Sequence, residues 1–295
     1  MNNDMPIKDL HLSEEELDVM YEDAKSLLFD GYPSEVSNPV AILTGGQPGA
    51  GKSGIVLKSK KEFDKINKKP VILDGDTYRG LYPNSVVIAK NYPELYLDIT
   101  NRATGKVMGR LIEYAIDEGY DFIREGTLNS AEIVDQLINS PRKYKIIIRL
   151  LAVSREESLM SCFERYILMK KNMGIGRFTT IEAHDKRFYQ FPKTARIQAD
   201  KGVEIEVYER GQDIAEPVMI YKSSCKENKY ANFEEALNIG RENSLKQCVT
   251  NASKRLECIG RELQLLEQED SKVFIELKRL RDIIDKILNK EENER

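Results

Sequence analysis

The densest chemistry in this 295-residue chain lies in Gly45-Gly46-Gln47-Pro48-Gly49-Ala50-Gly51-Lys52-Ser53. From Gly46 the stretch fits the pattern G-x-x-x-x-G-K-[ST] at every fixed position. Residues Gly46, Gln47, Pro48, Gly49, Ala50, Gly51, Lys52 and Ser53 are therefore expected to bind nucleotide phosphates. Glycines let successive backbone N–H groups turn inward onto phosphate oxygens, and a helix start beyond them adds partial positive charge. Lys52 can reach the β- and γ-phosphates and Ser53 can hold Mg2+, so the implied ligand is Mg-ATP. Transfer of a phosphoryl group needs two further things: a carboxylate for the acceptor's proton, and cations over the moving charge. Asp74 and Asp76 offer the first, with Glu125 and Thr127 at a later strand end. Arg165 and Arg177 offer the second, Arg177 within the Gly-rich run Asn172–Arg177, where it could close as a lid. Each has a plainer reading. Asp74 or Asp76 can cap a helix, Glu125 can pair with a structural arginine, Arg165 can belong to a solvated helix face, and Arg177 can be a loop charge. His184 suits a structural hydrogen bond better than catalysis.

These residues need a scaffold, and the pattern around them supplies one. Val40–Thr44 is apolar and strand-like, and Lys52–Ile66 is helix-compatible. Val71–Leu73 is a second strand ending in Asp74-Gly75-Asp76, and Asp121–Arg124 a third ending in Glu125-Gly126-Thr127. Lys145–Val153 is the most apolar strand, with a helix from Ser154 to Lys171. Other helices are expected over Asp98–Glu118, over Ala131–Asn139, and from a capping box at Ser13 and Glu16 to Phe29, while Pro83 and Pro93 bracket a poorly patterned stretch. Strands alternating with helices predict an α/β fold, a P-loop kinase-type parallel sheet with helices on both faces. Ligands bind such sheets at the carboxyl ends of the strands, where every motif above falls.

From Leu245 the pattern changes. Leu245, Val249, Ala252, Leu256, Ile259, Leu263, Leu266, Val273, Leu277, Leu280, Ile284 and Ile287 recur in steps of four and three, with Asp270 in the skipped slot. This predicts one long helix or two halves broken near Asp270-Ser271. It could pack as a helical hairpin on the main domain, or self-associate or bind a partner as a coiled coil. The expected domains are an N-terminal helical segment over 1–36, a kinase domain over 37–230 and a helical extension over 231–295.

Composition narrows the function classes. A net charge of −4 and no basic block argue against a polynucleotide substrate. Four cysteines without C-x-x-C spacing and two histidines argue against zinc or a disulfide framework. The first residues, with Asp4, Lys8 and Asp9, lack an apolar signal core, and no run of about 18 apolar residues exists to span a membrane. A cytoplasmic location is the expectation.

Taken in order, Gly45–Ser53, Asp74-Gly75-Asp76-Thr77-Tyr78-Arg79, Glu125-Gly126-Thr127, Glu164-Arg165-Tyr166, and Arg177 before Ala183-His184-Asp185 resemble the zeta toxin family over roughly residues 35–222. That resemblance implies a bacterial toxin that phosphorylates the 3′-hydroxyl of the N-acetylglucosamine unit of UDP-N-acetylglucosamine, restrained by a small separate helical antitoxin. It implies that Lys52 holds the phosphates, Ser53 the magnesium, Asp76 the sugar hydroxyl's proton, Glu125 and Thr127 the substrate, and Arg165 and Arg177 the charge on the transferring group. The chain departs from the family at Gly105, where a sugar-nucleotide-binding glutamate is usual, which leaves the acceptor open. A P-loop kinase of another hydroxyl, on an antibiotic or a nucleotide, is the second reading. A nucleotide switch with a coiled-coil partner is the third. It is disfavoured because Asn67-Lys68-Lys69-Pro70 lacks the aspartate of a GTPase N-K-x-D motif.

Overall fold

The computed structural model describes residues 12–92, 95–174, 176–211, 216–267 and 271–293. Pro93, Ile175, Asp270 and the N-terminal Asp4, Lys8 and Asp9 lie outside them. The elements are α1 (Glu14–Phe29), β1 (Val40–Gly45), α2 (Lys52–Lys65), β2 (Val71–Asp74), a 3-10 turn (Arg79–Leu81), α3 (Ser85–Asn91), α4 (Tyr96–Asp117), β3 (Phe122–Glu125), α5 (Glu132–Asn139), β4 (Lys145–Leu151), α6 (Arg155–Met173), α7 (Ile181–Asp200), β5 (Glu204–Glu209), β6 (Val218–Lys222), α8 (Phe233–Val249), α9 (Ala252–Gln264) and α10 (Lys272–Asn293). The strands form one sheet in the order β2-β3-β1-β4-β5-β6. The β2–β3 and β4–β5 pairs are parallel and β6 runs antiparallel to β5. The four strands and the phosphate-loop helix expected from the pattern are present. So is the capping box, with Ser13 Oγ accepting from Glu16 N and Glu16 returning the bond.

The chain divides into two compact units: 1–42, 59–125 and 132–146 form the first; 43–58, 126–131 and 147–295 form the second. The division therefore follows neither residue 36 nor residue 230. In the first unit, α1 lies on α4. Leu17, Met20, Tyr21, Ala24 and Leu28 turn inward, and Arg110 of α4 stacks over Tyr21 while bonding Asp18 at 2.6 Å. Asp121, just before β3, is 2 % exposed and accepts from Val40 N at 2.7 Å and from Lys68 Nζ at 3.0 Å.

The second unit contains two strands and a helix that the reading of the sequence passed over. β5, Glu-Ile-Glu-Val-Tyr-Glu, alternates in period two yet is buried through its middle. Its Glu206 faces Arg149 of β4 across the parallel register, 2.9 Å away, and also takes bonds from Lys222 and Tyr208. Burial raises the Glu206 pKa and these partners more than reverse it, so the carboxylate stays ionised. α7 was obscured by Pro192 in its interior. A proline lacks the N–H that would bond the carbonyl four residues back. That carbonyl belongs to Phe188, and Arg241 of α8 donates to it at 3.1 Å while stacking on Phe188 and Phe191. Burial pushes the Arg241 pKa down to about 10.

The heptad seam resolves into three helices, with breaks at Thr250–Asn251 and between α9 and α10. Its apolar stripe faces inward. Ala252, Leu256, Ile259, Leu263, Val273, Leu277, Leu280 and Ile284 join Leu159, Met160, Phe163, Tyr166 and Ile167 of α6 in one buried cluster. The seam thus packs on its own chain, as the helical-hairpin reading expected, and those side chains are not displayed to a second copy.

Candidate functional site

The phosphate loop joins β1 to α2 in the second unit. Gly49 and Gly51 have φ of 78° and 93°, which glycine adopts without a Cβ clash. Space demands glycine at 49 as well: a Cβ there would meet the Ser158 carbonyl of α6 at 2.0 Å and Cys162 Sγ at 2.9 Å. The loop rests directly on the α6 backbone. Its interior is closed by Gln47 O, which accepts from Ala50 N at 3.2 Å and from Lys52 Nζ at 3.0 Å. Ser53 stands exposed in the first turn of α2. Thr44, at the end of β1, exchanges two bonds with Gly126, one through each backbone polar group, and Thr127 beside it is half-buried.

The Gln47 side chain turns away from the loop's open face. It is fully buried, and Nε2 donates to Val153 O at 2.9 Å and Ser158 Oγ at 3.0 Å. Ser158 Oγ also meets His184 Nε2 at 2.8 Å, and His184 Nδ1 meets Asp185 Oδ1 at 3.1 Å. A carboxylate only accepts, so Nδ1 carries the proton and Nε2 accepts from Ser158. Arg155 completes the chain with two 2.8 Å bonds to Asp185. Burial lowers the His184 pKa, keeping the ring neutral. Ser158, His184 and Asp185 have the types of a hydrolytic triad, but Ser158 and His184 are wholly buried and the hydroxyl is engaged by Gln47. The trio is a strut under the loop.

Several cations act on the thiol beside the loop. Burial raises the Cys162 pKa, and Arg165, Lys52, Arg177 and Arg210 all act against that rise, in that order. Three of these are residues expected from the sequence, and all three act electrostatically on one buried sulfur beneath the loop. Arg177 is half-buried. The glycine before it is forced by packing, since a Cβ on Gly176 would lie 2.7 Å from the Tyr166 ring, and Phe178 after it sits edge-on to Phe163 and Tyr166. Arg210 was missed. It follows β5, the strand that was also missed, and its position at a carboxyl end was the available signal.

The acidic candidates belong to the first unit. Asp74 and Glu125 are register partners at the ends of β2 and β3. Asp74 closes its own turn, accepting from Asp76 N at 3.1 Å and Thr77 Oγ1 at 3.3 Å. Asp76 points outward, 45 % exposed, with Arg79 Nε 3.8 Å away. Arg79 is itself fixed on Thr100 Oγ1 at 2.6 Å. Arg124, another residue the sequence gave no reason to choose, lies among them: burial lowers its pKa, while Tyr78, Asp74, Glu125 and Asp76 raise it. Gly105 sits mid-α4, exposed, with open space where a side chain would stand, so packing does not impose glycine there. Among the described residues no cluster of His, Cys, Asp and Glu could hold a metal unaided, and no helix is long and apolar enough to cross a membrane.

A mostly parallel six-stranded sheet with a phosphate loop after its first strand defines a P-loop α/β protein of kinase type. The Zeta toxin family model matches residues 25–223, and the chain belongs to that family. Toxin PezT of Streptococcus pneumoniae serotype 4 is 32 % identical over 151 residues, 50 % of this chain and 58 % of PezT. The chain thus aligns with little more than half the length of that relative. A chain of the PezAT chromosomal toxin–antitoxin system of the human pathogen Streptococcus pneumoniae superposes with a TM-score of 0.67 at 25 % identity, covering 89 % of this chain and all of the other. The structure of AvrRxo1-ORF1:-ORF2 with ATP shares the fold, with a TM-score of 0.52 at 15 % identity over 89 % of this chain and 86 % of its own.

Proposed function

We propose that this protein is an ATP-dependent phosphotransferase acting on a hydroxyl of a small sugar nucleotide, UDP-N-acetylglucosamine in the first instance, and that it is the toxin of a toxin–antitoxin pair. The observation that carries the reading is a phosphate loop seated on α6 at Gly49, with Lys52 Nζ on the Gln47 carbonyl and Arg210 on the Gly49 carbonyl, and with Arg165 and Arg177 also acting on the buried Cys162 beside it. A phosphoryl group in flight spreads negative charge over its equatorial oxygens, and cations set in advance stabilise it. A protein that only held a nucleotide would not need so many.

In this reading Lys52 holds the β- and γ-phosphates, and Arg165 and Arg177 neutralise the transferring group. Asp76, the outward-facing carboxylate of its turn, takes the acceptor's proton, while Asp74 shapes the turn. Glu125 and Thr127 bind the acceptor. Ser53 would offer a hydroxyl to Mg2+, an ion that suits a site with few protein ligands and would supply positive charge to the phosphates. The PezAT likeness supports a separate antitoxin partner. The open position at Gly105 keeps a second acceptor class, another small hydroxylated molecule, in play.

The test is incubation with Mg-ATP and a panel of UDP-sugars, followed by mass spectrometry. A gain of one phosphate on UDP-N-acetylglucosamine is expected. Phosphate on no acceptor, with ATP left intact, overturns the reading.

A further inference from the structure

α6 supports the phosphate loop from below, and what supports α6 comes from the far end of the chain. Arg210, just after β5, donates through Nη2 to the Gly49 carbonyl. Its Nη1 bonds Glu157 Oε1 at 2.6 Å and Ser161 Oγ at 3.2 Å on α6. The second oxygen of Glu157 takes a bond from Nη1 of Arg255 on α9. Arg255 then grips Glu164, the residue before Arg165, through Nε and Nη2 at 2.9 Å each. Arg210, Glu157 and Arg255 have side chains only 18 %, 15 % and 21 % exposed, so solvent screens this series weakly.

The geometry has a consequence for the loop. A trans peptide points its C=O and N–H in opposite directions. Fixing the Gly49 carbonyl on Arg210 therefore fixes the Ala50 N–H toward the interior of the loop, where it now meets Gln47 O. A guanidinium is a rigid planar fork, so its angle to Gly49 depends on where Glu157 holds its other arm. Glu157 in turn is held between two cations. Gly49 itself cannot shift toward α6, because the Ser158 carbonyl blocks it.

We propose that Arg210 is a positioning residue for the phosphate loop and that α9 acts on the loop through the relay Arg255–Glu157–Arg210–Gly49 carbonyl. The inference rests on the nucleotide reading above and deepens it: the C-terminal helices set how the loop presents its N–H groups to a nucleoside triphosphate. Arg255 reaches the loop through Glu157 and the neighbourhood of Arg165 through Glu164, so Glu157→Gln, which leaves the Glu164 contacts in place, isolates the first route.

The experiment measures Mg-ATP binding by titration calorimetry on the full chain, with circular dichroism and thermal melting in parallel. The variants are Arg210→Ala, Arg210→Lys, Glu157→Gln, Arg255→Met and the double Arg210→Ala/Arg255→Met. A hydrogen bond to a charged group implies about a tenfold or greater weakening for Arg210→Ala, and roughly a few-fold for Arg255→Met and Glu157→Gln. Arg210→Lys should not restore affinity, since one ammonium cannot span both partners. The double variant should bind no more weakly than Arg210→Ala alone, because the two act in one series. If Arg210→Ala does not fold, Arg255→Met and Glu157→Gln carry the test. A lower melting temperature with unchanged ATP affinity in those two would make the contacts purely structural and overturn the relay, as would additive losses in the double variant. Lys52→Ala separates the two levels. If it binds Mg-ATP as the unaltered chain does, the nucleotide reading fails. If it loses binding while the relay variants keep it, the relay alone fails.

Discussion

The carboxylates at the ends of β2 and β3 and the cations beneath the phosphate loop are built in opposite ways. Asp74, Asp76, Thr77 and Arg79 are neighbours in sequence, joined by bonds reaching two or three residues, and Asp76 remains open to solvent. The cations come from α2, α6, the segment before α7 and the end of β5, and all four act on the buried Cys162, beside a Gln47 whose side chain bonds residues more than a hundred positions away. The first arrangement is a turn closed by local bonds and tied to the fold through Arg79 on Thr100. The second exists only when the fold is complete. A mutation in the first should therefore touch chemistry alone, and a mutation in the second should touch chemistry and stability together.

Asp76→Asn is the sharpest way to probe that contrast. It keeps the shape and removes the proton acceptor, so turnover should fall about 10²–10⁴-fold while ATP affinity and melting temperature stay put. Full-speed turnover would move the base to Asp74. Lys52→Ala should lower turnover by roughly 10²–10³ and weaken Mg-ATP binding as well, which steady-state kinetics and calorimetry read separately. Leu263→Ala, in the cluster shared by α6 and the C-terminal helices, should cost about 2–5 kcal/mol of stability in urea denaturation. A loss below about 1 kcal/mol would mean that α9 is a loosely attached appendage.

The smallest effect concerns pH. His184 is neutral in the fold, with its pKa held below the ordinary imidazole value by burial, against the pull of Asp185. The unfolded chain therefore binds a proton first on acidification. Stability from this group is complete above about pH 6.5 and drains away as pH falls toward the folded value. Urea midpoints between pH 7.5 and 5.5 should decline in the unaltered protein and less steeply in His184→Asn. Parallel slopes would show that the imidazole does not titrate on unfolding in this range.

The same contrast explains what the sequence made legible. Gly46–Ser53 is contiguous and its chemistry is written in order, so the loop, its strand and its helix could all be read. The Asp74–Arg79 turn was legible for the same reason, though which aspartate caps it was settled only by geometry. Arg210 and Arg124 were not legible. One follows a strand whose glutamates masked a buried core position, and Glu206 is tolerated there only because Arg149 and Lys222 meet it. α7 was hidden by Pro192, a residue that argues against a helix interior unless something distant repairs the break. The heptads announced helices but not their partner, since a stripe of Leu and Ile fits the Leu159–Ile167 face of α6 as well as a second copy.

That repair of α7 has a consequence for how the molecule breathes. A helix interrupted by proline would ordinarily open from its middle, exposing the amides on either side to exchange with solvent. Here the freed carbonyl of Phe188 is stoppered by Arg241, so the weak point of one helix is fastened to another far along the chain. In deuterium exchange, amides on both sides of Pro192 should open only together with those around Arg241, as one cooperative block and not as a fraying hinge. His184 and Asp185 ride on that block, and with them the strut beneath the phosphate loop.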